Sequence, residues 1–255
     1  MGNVLTICKK ELDIYFRSPI AYVVMTTFAV VAGVFFFYGT LGFVNASLQR
    51  AQMGQSTPMN VNEWVISPLL SNLVVIFLLL IPLMTMRLIA EEKRSGTIEL
   101  LVTSPLSDWA IIVGKWLASL VLFSALLALS SINLISLFAY GTPDWRPMAV
   151  AYLGLLLQGG SLLAIGLFIS SLTKNQIVSA VVTFSVLLTL FTLDWSTSFG
   201  DSTFTKVIAY ISFISHYESF SRGVIDTKDV IYYISMIFLG LFLTARSMDS
   251  IRWRA

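Results

Sequence analysis

Long apolar runs separated by short polar segments dominate the chain, and six of them are long enough to span a bilayer: about 20–44, 69–88, 109–140, 148–172, 177–193 and 230–245. A hydrocarbon core of about 30 Å needs ~20 helical residues at 1.5 Å each. The pattern therefore predicts an all-α membrane protein, one transmembrane domain over residues 1–255 with six crossing helices. The third run exceeds a perpendicular crossing, which predicts tilt or an extension into the cytoplasm. The fifth and sixth sit near the lower limit of length.

Two polar segments carry patterns of their own. In 4–17, Leu5, Cys8, Leu12, Tyr15 and Phe16 fall on one helical face, with Lys9, Lys10 and Asp13 largely off it. Arg17-Ser18-Pro19 ends that helix before the first run. This predicts an interfacial elbow helix that feeds the chain upward at a sharp angle, with Lys10, Arg17 and Pro19 at its key positions. A plain anchor would show the same periodicity.

In the loop 88–108, the charges Glu91, Glu92, Lys93 and Arg94 carry the second helix out of the bilayer. Gly96 permits the left-handed turn that ends a helix, Thr97 can cap a new one, and Glu99 suits its first turn. Ile98, Leu101 and Val102 make a small apolar face, Ser104-Pro105 stops the run, and Ser107 with Asp108 caps the return into the third span. A helix of about seven residues is unstable alone in water, so it needs a surface to dock on. Any multispan protein also carries charged loops with turns. The loops 45–68 and 194–229 are the sizeable outer segments, neither large enough for a substantial independent domain.

Composition strengthens the membrane reading: 56% of residues are hydrophobic and 12% charged, against about 25% charged in soluble proteins. One set of loops and ends holds Lys9, Lys10, Arg17, Arg87, Lys93, Arg94, Lys115, Lys174, Arg246, Arg252 and Arg254, and the other holds Arg50, Arg146, Lys206, Arg222 and Lys228. Cytoplasmic segments carry the Lys/Arg excess, so both termini are expected in the cytoplasm. Trp64, Trp109, Trp145, Trp195 and Trp253 fall near span ends, where an indole suits the interface. A net charge of +2 gives no electrostatic support for nucleic acid. The single cysteine, Cys8, excludes a disulfide framework. No cleavable signal is expected, because amphipathic residues precede a first run that is too long for a signal core.

The chemistry on offer is sparse. No G-x-x-x-x-G-K-[ST] phosphate loop occurs, so ATP hydrolysis is not expected on this chain. Polar residues inside the runs are neutral and mostly small: Ser119, Ser124, Ser130, Ser131, Asn133, Gln158, Ser161 and Ser170. Helix packing explains most of them, with Gly159, Gly160 and Gly166 permitting close approach; substrate contact is the other reading. The middles of the runs hold no ionisable residue, which counts against proton or sodium coupling. His216, near Glu218 on the outer side, suits a structural or interfacial role, and no metal site is expected. The scattered methionines support no copper ladder, and neither H-E-x-x-H nor a Ser–His pair suggests a protease.

The order acidic pair, basic pair, Ser95-Gly96-Thr97-Ile98-Glu99-Leu100-Leu101, then Ser104-Pro105-Leu106-Ser107, closely resembles the coupling region of type 2 ABC transporter permeases. It looks most like the gliding-motility-associated and copper-enzyme-maturation branch. Lys10-Glu11-Leu12 with Phe16-Arg17-Ser18-Pro19 resembles that family's elbow helix. The stretch from Ile214 to Ile225 is similar to its outer re-entrant hairpin before the last span, at His216, Glu218, Phe220 and Gly223. The resemblance implies a non-catalytic permease subunit of an exporter in the bacterial inner membrane. It implies a homodimer or a pair with a related permease, contact with membrane lipids, and room for a periplasmic accessory protein. A separate nucleotide-binding subunit would bind ATP and Mg, and this chain would hold no cofactor. Coupling would fall on Glu91, Glu92, Arg94, Gly96, Thr97, Glu99, Leu101, Ser104, Pro105 and Lys174. The rival readings are a secondary transporter without an ATPase and a motility- or assembly-associated membrane component.

Overall fold

The computed structural model describes residues 2–54, 59–98, 106–140, 143–197, 210 and 212–252, and their regular structure is helical throughout. In chain order the elements are α1 (Gly2–Arg17), α2 (Pro19–Gln52), a π-helical turn (Asn62–Ile66) running into α3 (Ser67–Thr85), and α4 (Ala90–Ser95). They continue with α5 (Asp108–Tyr140), α6 (Trp145–Leu172), α7 (Gln176–Thr197), α8 (Phe213–Ser221) and α9 (Thr227–Arg252). Among the described residues, six helical stretches are long and apolar enough to cross a membrane: α2, the π turn with α3 and α4, α5, α6, α7 and α9.

The spans are not equivalent. The second and fourth have 67% and 72% of their apolar windows buried, whereas the other four have 17–33%. The second and fourth therefore form the core, and the rest turn broad apolar faces outward, as lipid requires. On α3 the stripe Leu70, Leu73, Phe77 and Ile81 is fully buried at helical spacing. Phe77 stacks on Phe28 of α2 at 6.0 Å and meets Phe123 of α5 edge-on at 4.7 Å.

On α6 three glycines admit three different neighbours. A Cβ at Gly154 would stand 2.5 Å from Phe220 of α8, at Gly159 2.1 Å from Phe123 of α5, and at Gly166 2.4 Å from Thr85 of α3. Gly160, one residue on, has only ordinary contacts of 3.4–3.5 Å. Gly159→Ala is therefore expected to cost about 1–3 kcal/mol through overpacking. Gly160→Ala should be neutral or slightly stabilising, because alanine is the better helix former. Thermal unfolding of the two purified variants in detergent checks the contrast.

Helices run past the apolar runs where the polar flanks hold no breaker. α2 continues through Asn45–Gln52, expected as loop, because no Pro or Gly interrupts it until Gly54, at φ 73°. The last helix likewise extends on both sides of 230–245. Within the segment 194–229, expected on the outer side, α8 forms a distinct helix. Asn62 ties the start of the second span to the N-cap of α6, giving its amide to the Asp144 carbonyl at 2.8 Å and accepting from the Asp144 N–H at 3.2 Å.

Candidate functional site

The second span breaks between α3 and α4, and the break organises one end of the bundle. Leu88 N–H bonds the Thr85 carbonyl at 3.1 Å, tightening the turn. The Met84 carbonyl instead accepts from the Tyr15 hydroxyl of α1 at 2.7 Å. The N–H groups of Ile89 and Ala90, orphaned at the start of α4, donate to Ser170 Oγ of α6 at 3.2 and 3.1 Å. Ser170 in turn donates to the Met86 carbonyl at 3.3 Å. A single buried hydroxyl thus stitches the broken helix to the core.

Beside this break, Lys115 rises from the second turn of α5. Its Nζ lies 2.8 Å from Glu11 Oε1 of α1 and 2.8 Å from Glu92 Oε1 of α4. The three side chains are only 2%, 9% and 15% exposed, so one ammonium and two carboxylates share a largely buried joint. Buried charges at such a site hold geometry only as a set, since removing one strands the others. Arg87 completes the surroundings: Nη1 donates to Ser18 Oγ at 3.1 Å and the guanidinium lies 5.0 Å over the Tyr15 ring. Arg87 Nη2 and Glu92 Oε2 are buried without a partner and belong to residues lining a cavity of about 280 Å³ between α1 and α4. Lys93 donates to the Ser171 carbonyl, as does Ser247 of α9 at 3.2 Å. Both serve the end of α6, where carbonyls lack helical partners and a cation is favoured.

The residues expected to couple spread widely around this joint. Glu92 enters it, while Glu91 and Arg94 are exposed on α4. Gly96 ends α4 at φ 74°, in the left-handed region. Thr97 Oγ1 lies 2.8 Å from Ser95 Oγ and reaches back toward the Glu92 carbonyl at 3.5 Å. Glu99, Leu101, Ser104 and Pro105 lie outside the described residues. Ile98, expected on an exposed apolar face, is 6% exposed and packs in the core instead, because the Gly96 turn folds the chain back against the bundle. Lys174 is exposed in the turn before α7, where Asn175 caps the helix by accepting from Ile177 N–H at 2.9 Å.

In α1 the packed face differs from the one expected. Cys8, Glu11 and Tyr15 are buried, whereas Leu5 and Phe16 are 66% and 40% exposed. A count of apolar positions passes over Glu11, whose burial follows from its partner on α5. Ile7 fits against Gly114 of α5, where a Cβ would stand 2.8 Å from Ile7 Cγ2. Lys10 and Arg17 are exposed, and Pro19 is the first residue of α2, capped by Ser18, which accepts from Ile20 N–H at 3.3 Å.

At the opposite end, His216 of α8 is buried, and its partner is Asp229 rather than Glu218. Nδ1 lies 2.7 Å from Asp229 Oδ1 and Nε2 3.0 Å from the Tyr210 carbonyl, with the ring stacked on Tyr232 at 3.9 Å. Glu218 pairs with Arg222 on the exposed side of α8. Phe220 is fully buried against Gly154. Gly223, at φ 80°, closes the helix: its N–H bonds the Phe220 carbonyl at 2.9 Å and Val224 N–H bonds the Ser219 carbonyl at 3.0 Å. No group of three or more His, Cys, Asp or Glu that could hold a metal occurs among the described residues.

Sequence pattern did not single out Lys115, Glu11 or Asp229 as site residues. For Lys115 the available signal was a lone ionisable residue within two turns of a span end. Over 116 residues the chain is 32% identical to the "Probable multidrug ABC transporter permease YbhR" of Escherichia coli strain K12, and equally to that of strain O157:H7. That match covers 45% of this chain and 30% of each relative, so it spans less than a third of their length. Residues 38–245 match the ABC-2 family transporter protein, and the chain, a multi-pass transmembrane protein, belongs to that family.

Proposed function

We propose that the chain is the membrane-spanning permease subunit of an ATP-driven exporter in the bacterial inner membrane, with α1, α4 and both termini cytoplasmic. The observation that carries the reading is the buried Lys115–Glu11–Glu92 joint in a member of this family. Movement delivered to α4 would pass to α5 and α1 through charges that cannot separate cheaply, and to α6 through Ser170. The excess of Lys and Arg at this end supports the orientation.

A separate nucleotide-binding subunit would bind ATP and Mg and dock beneath α4 and the segment 99–105, with Lys174 at the edge of the contact. Two permeases would pair, and the stroke would repack the second and fifth spans. The coupling and hairpin motifs support the gliding-motility-associated and copper-enzyme-maturation branch, and the similarity to relatives described as probable multidrug permeases supports a drug cargo. Affinity purification of the tagged chain from membranes of its native host tests the assignment. The expected result is stoichiometric co-purification that is lost in Leu101→Arg; absence of any nucleotide-binding subunit overturns it.

A further inference from the structure

Hydroxyls on the fifth span behave in two ways. Ser185, Thr189 and Thr192 are exposed toward lipid and bond to carbonyls of their own helix at 2.8, 2.8 and 3.0 Å. Ser179 and Thr183, on the inward face of the same helix, are fully buried and their oxygens have no partner. Across the interface, Gln158 stands at the middle of α6, fully buried, and both atoms of its amide are also without a partner. In an apolar interior such a group is costly unless something bonds to it.

These groups lie along one seam. Ser179, Thr183, Leu187 and Leu190 follow one another at helical spacing on α7, over about 16 Å of helix at 1.5 Å per residue. Gln158 shares with Leu187 and Leu190 a cavity of about 10 Å³, also lined by Leu78 of α3 and Phe213 of α8. That space admits about one water. Among the described residues, no ionisable one lines it. The fifth span is also the most lightly held, with 17% of its window buried, so its separation from the core gives up the least packing.

We propose that this seam is a cargo-contact site, shut in the present conformation, for the neutral hydrogen-bonding part of an amphiphilic substrate. Once α7 parts from α3 and α6, a hydroxyl, ether or amide would bond the Ser179 and Thr183 hydroxyls in turn and then, farther along the seam, the Gln158 amide. This rests on the permease reading and adds to it a cargo class and a route from the cytoplasmic end of α7 to mid-membrane. The absence of charge in the lining selects against ions.

The test uses the full chain in lipid nanodiscs and a benzophenone-bearing alkyl glucoside as photoprobe. Labelling of α6 and α7 is expected, competed by an unlabelled alkyl glucoside but not by an alkyltrimethylammonium of equal chain length. Gln158→Leu should lower labelling about tenfold, the equivalent of one hydrogen bond. It should leave thermal stability unchanged or raised, because an orphaned amide has gone. Undiminished labelling in that variant overturns the site, a fall in stability marks the amide as structural and overturns it equally, and equal competition by the ammonium overturns the neutral class. Should Gln158→Leu not fold, Thr183→Val keeps the local shape and decides by the same readings. Lack of a co-purifying ATPase would instead strike the permease reading, since labelling is read on this chain alone.

Discussion

Lys115→Met is expected to destabilise the chain by about 3–5 kcal/mol, the usual cost of breaking a buried ion pair from one side. Methionine fills much of the lysine volume, so lost packing is a minor part of the effect. What remains is two carboxylates, Glu11 and Glu92, drawn to one point by three helices and left with no cation between them. Glu11→Gln should cost less, because Lys115 keeps Glu92. A triple variant, Lys115→Met with Glu11→Leu and Glu92→Met, removes every charge and should recover most of the stability, since apolar replacement of a complete buried set is often neutral or better. Thermal unfolding in detergent reads that series. On the permease reading, stimulation of a co-purified nucleotide-binding subunit's ATPase activity by this chain in proteoliposomes then separates scaffold from lever: stability regained with stimulation still absent identifies the charges as the coupling element. Stimulation regained along with stability reduces the joint to a scaffold.

The parts legible in the sequence are those set by one residue and its immediate surroundings. Apolar length alone finds the six spans, because the bilayer imposes the same rule on each. Local turns and caps are equally readable: Ser107 accepts from Ala110 N–H at 3.3 Å, and Gly96 ends α4 in the left-handed region. Partners distant in sequence are not readable. Lys115 and Glu11 are 104 residues apart, and nothing in either neighbourhood names the other. Ser170 is one small polar residue among several until the break in the second span supplies two orphaned N–H groups for it to accept. The end of α2 went unread for the opposite reason: hydropathy stops near Val44, whereas helix propensity carries on to Gln52.

Asp229→Leu is expected to cost a similar 3–5 kcal/mol, for a related reason at the other end of the molecule. Nε2 of His216 faces a carbonyl, which can only accept, so that nitrogen carries its hydrogen. Nδ1 and Asp229 Oδ1 lie 2.7 Å apart, within hydrogen-bond reach, in a site where the two side chains are 6% and 1% exposed. Leucine leaves Nδ1 facing an apolar group with no water to replace the carboxylate. The consequence should be local as well as global, because this bond joins α8 to α9 beside the Tyr233 hydroxyl, which donates to the Phe213 carbonyl at 2.8 Å. Amide hydrogen exchange across 213–224 should accelerate more than exchange in the middle of α6. The double variant His216→Phe with Asp229→Leu keeps an aromatic ring against Tyr232 and removes both polar partners, so it should regain most of the lost stability. If it stays as unstable as Asp229→Leu alone, the leucine itself fails to fit beside Tyr232 and the loss comes from packing rather than from the stranded imidazole.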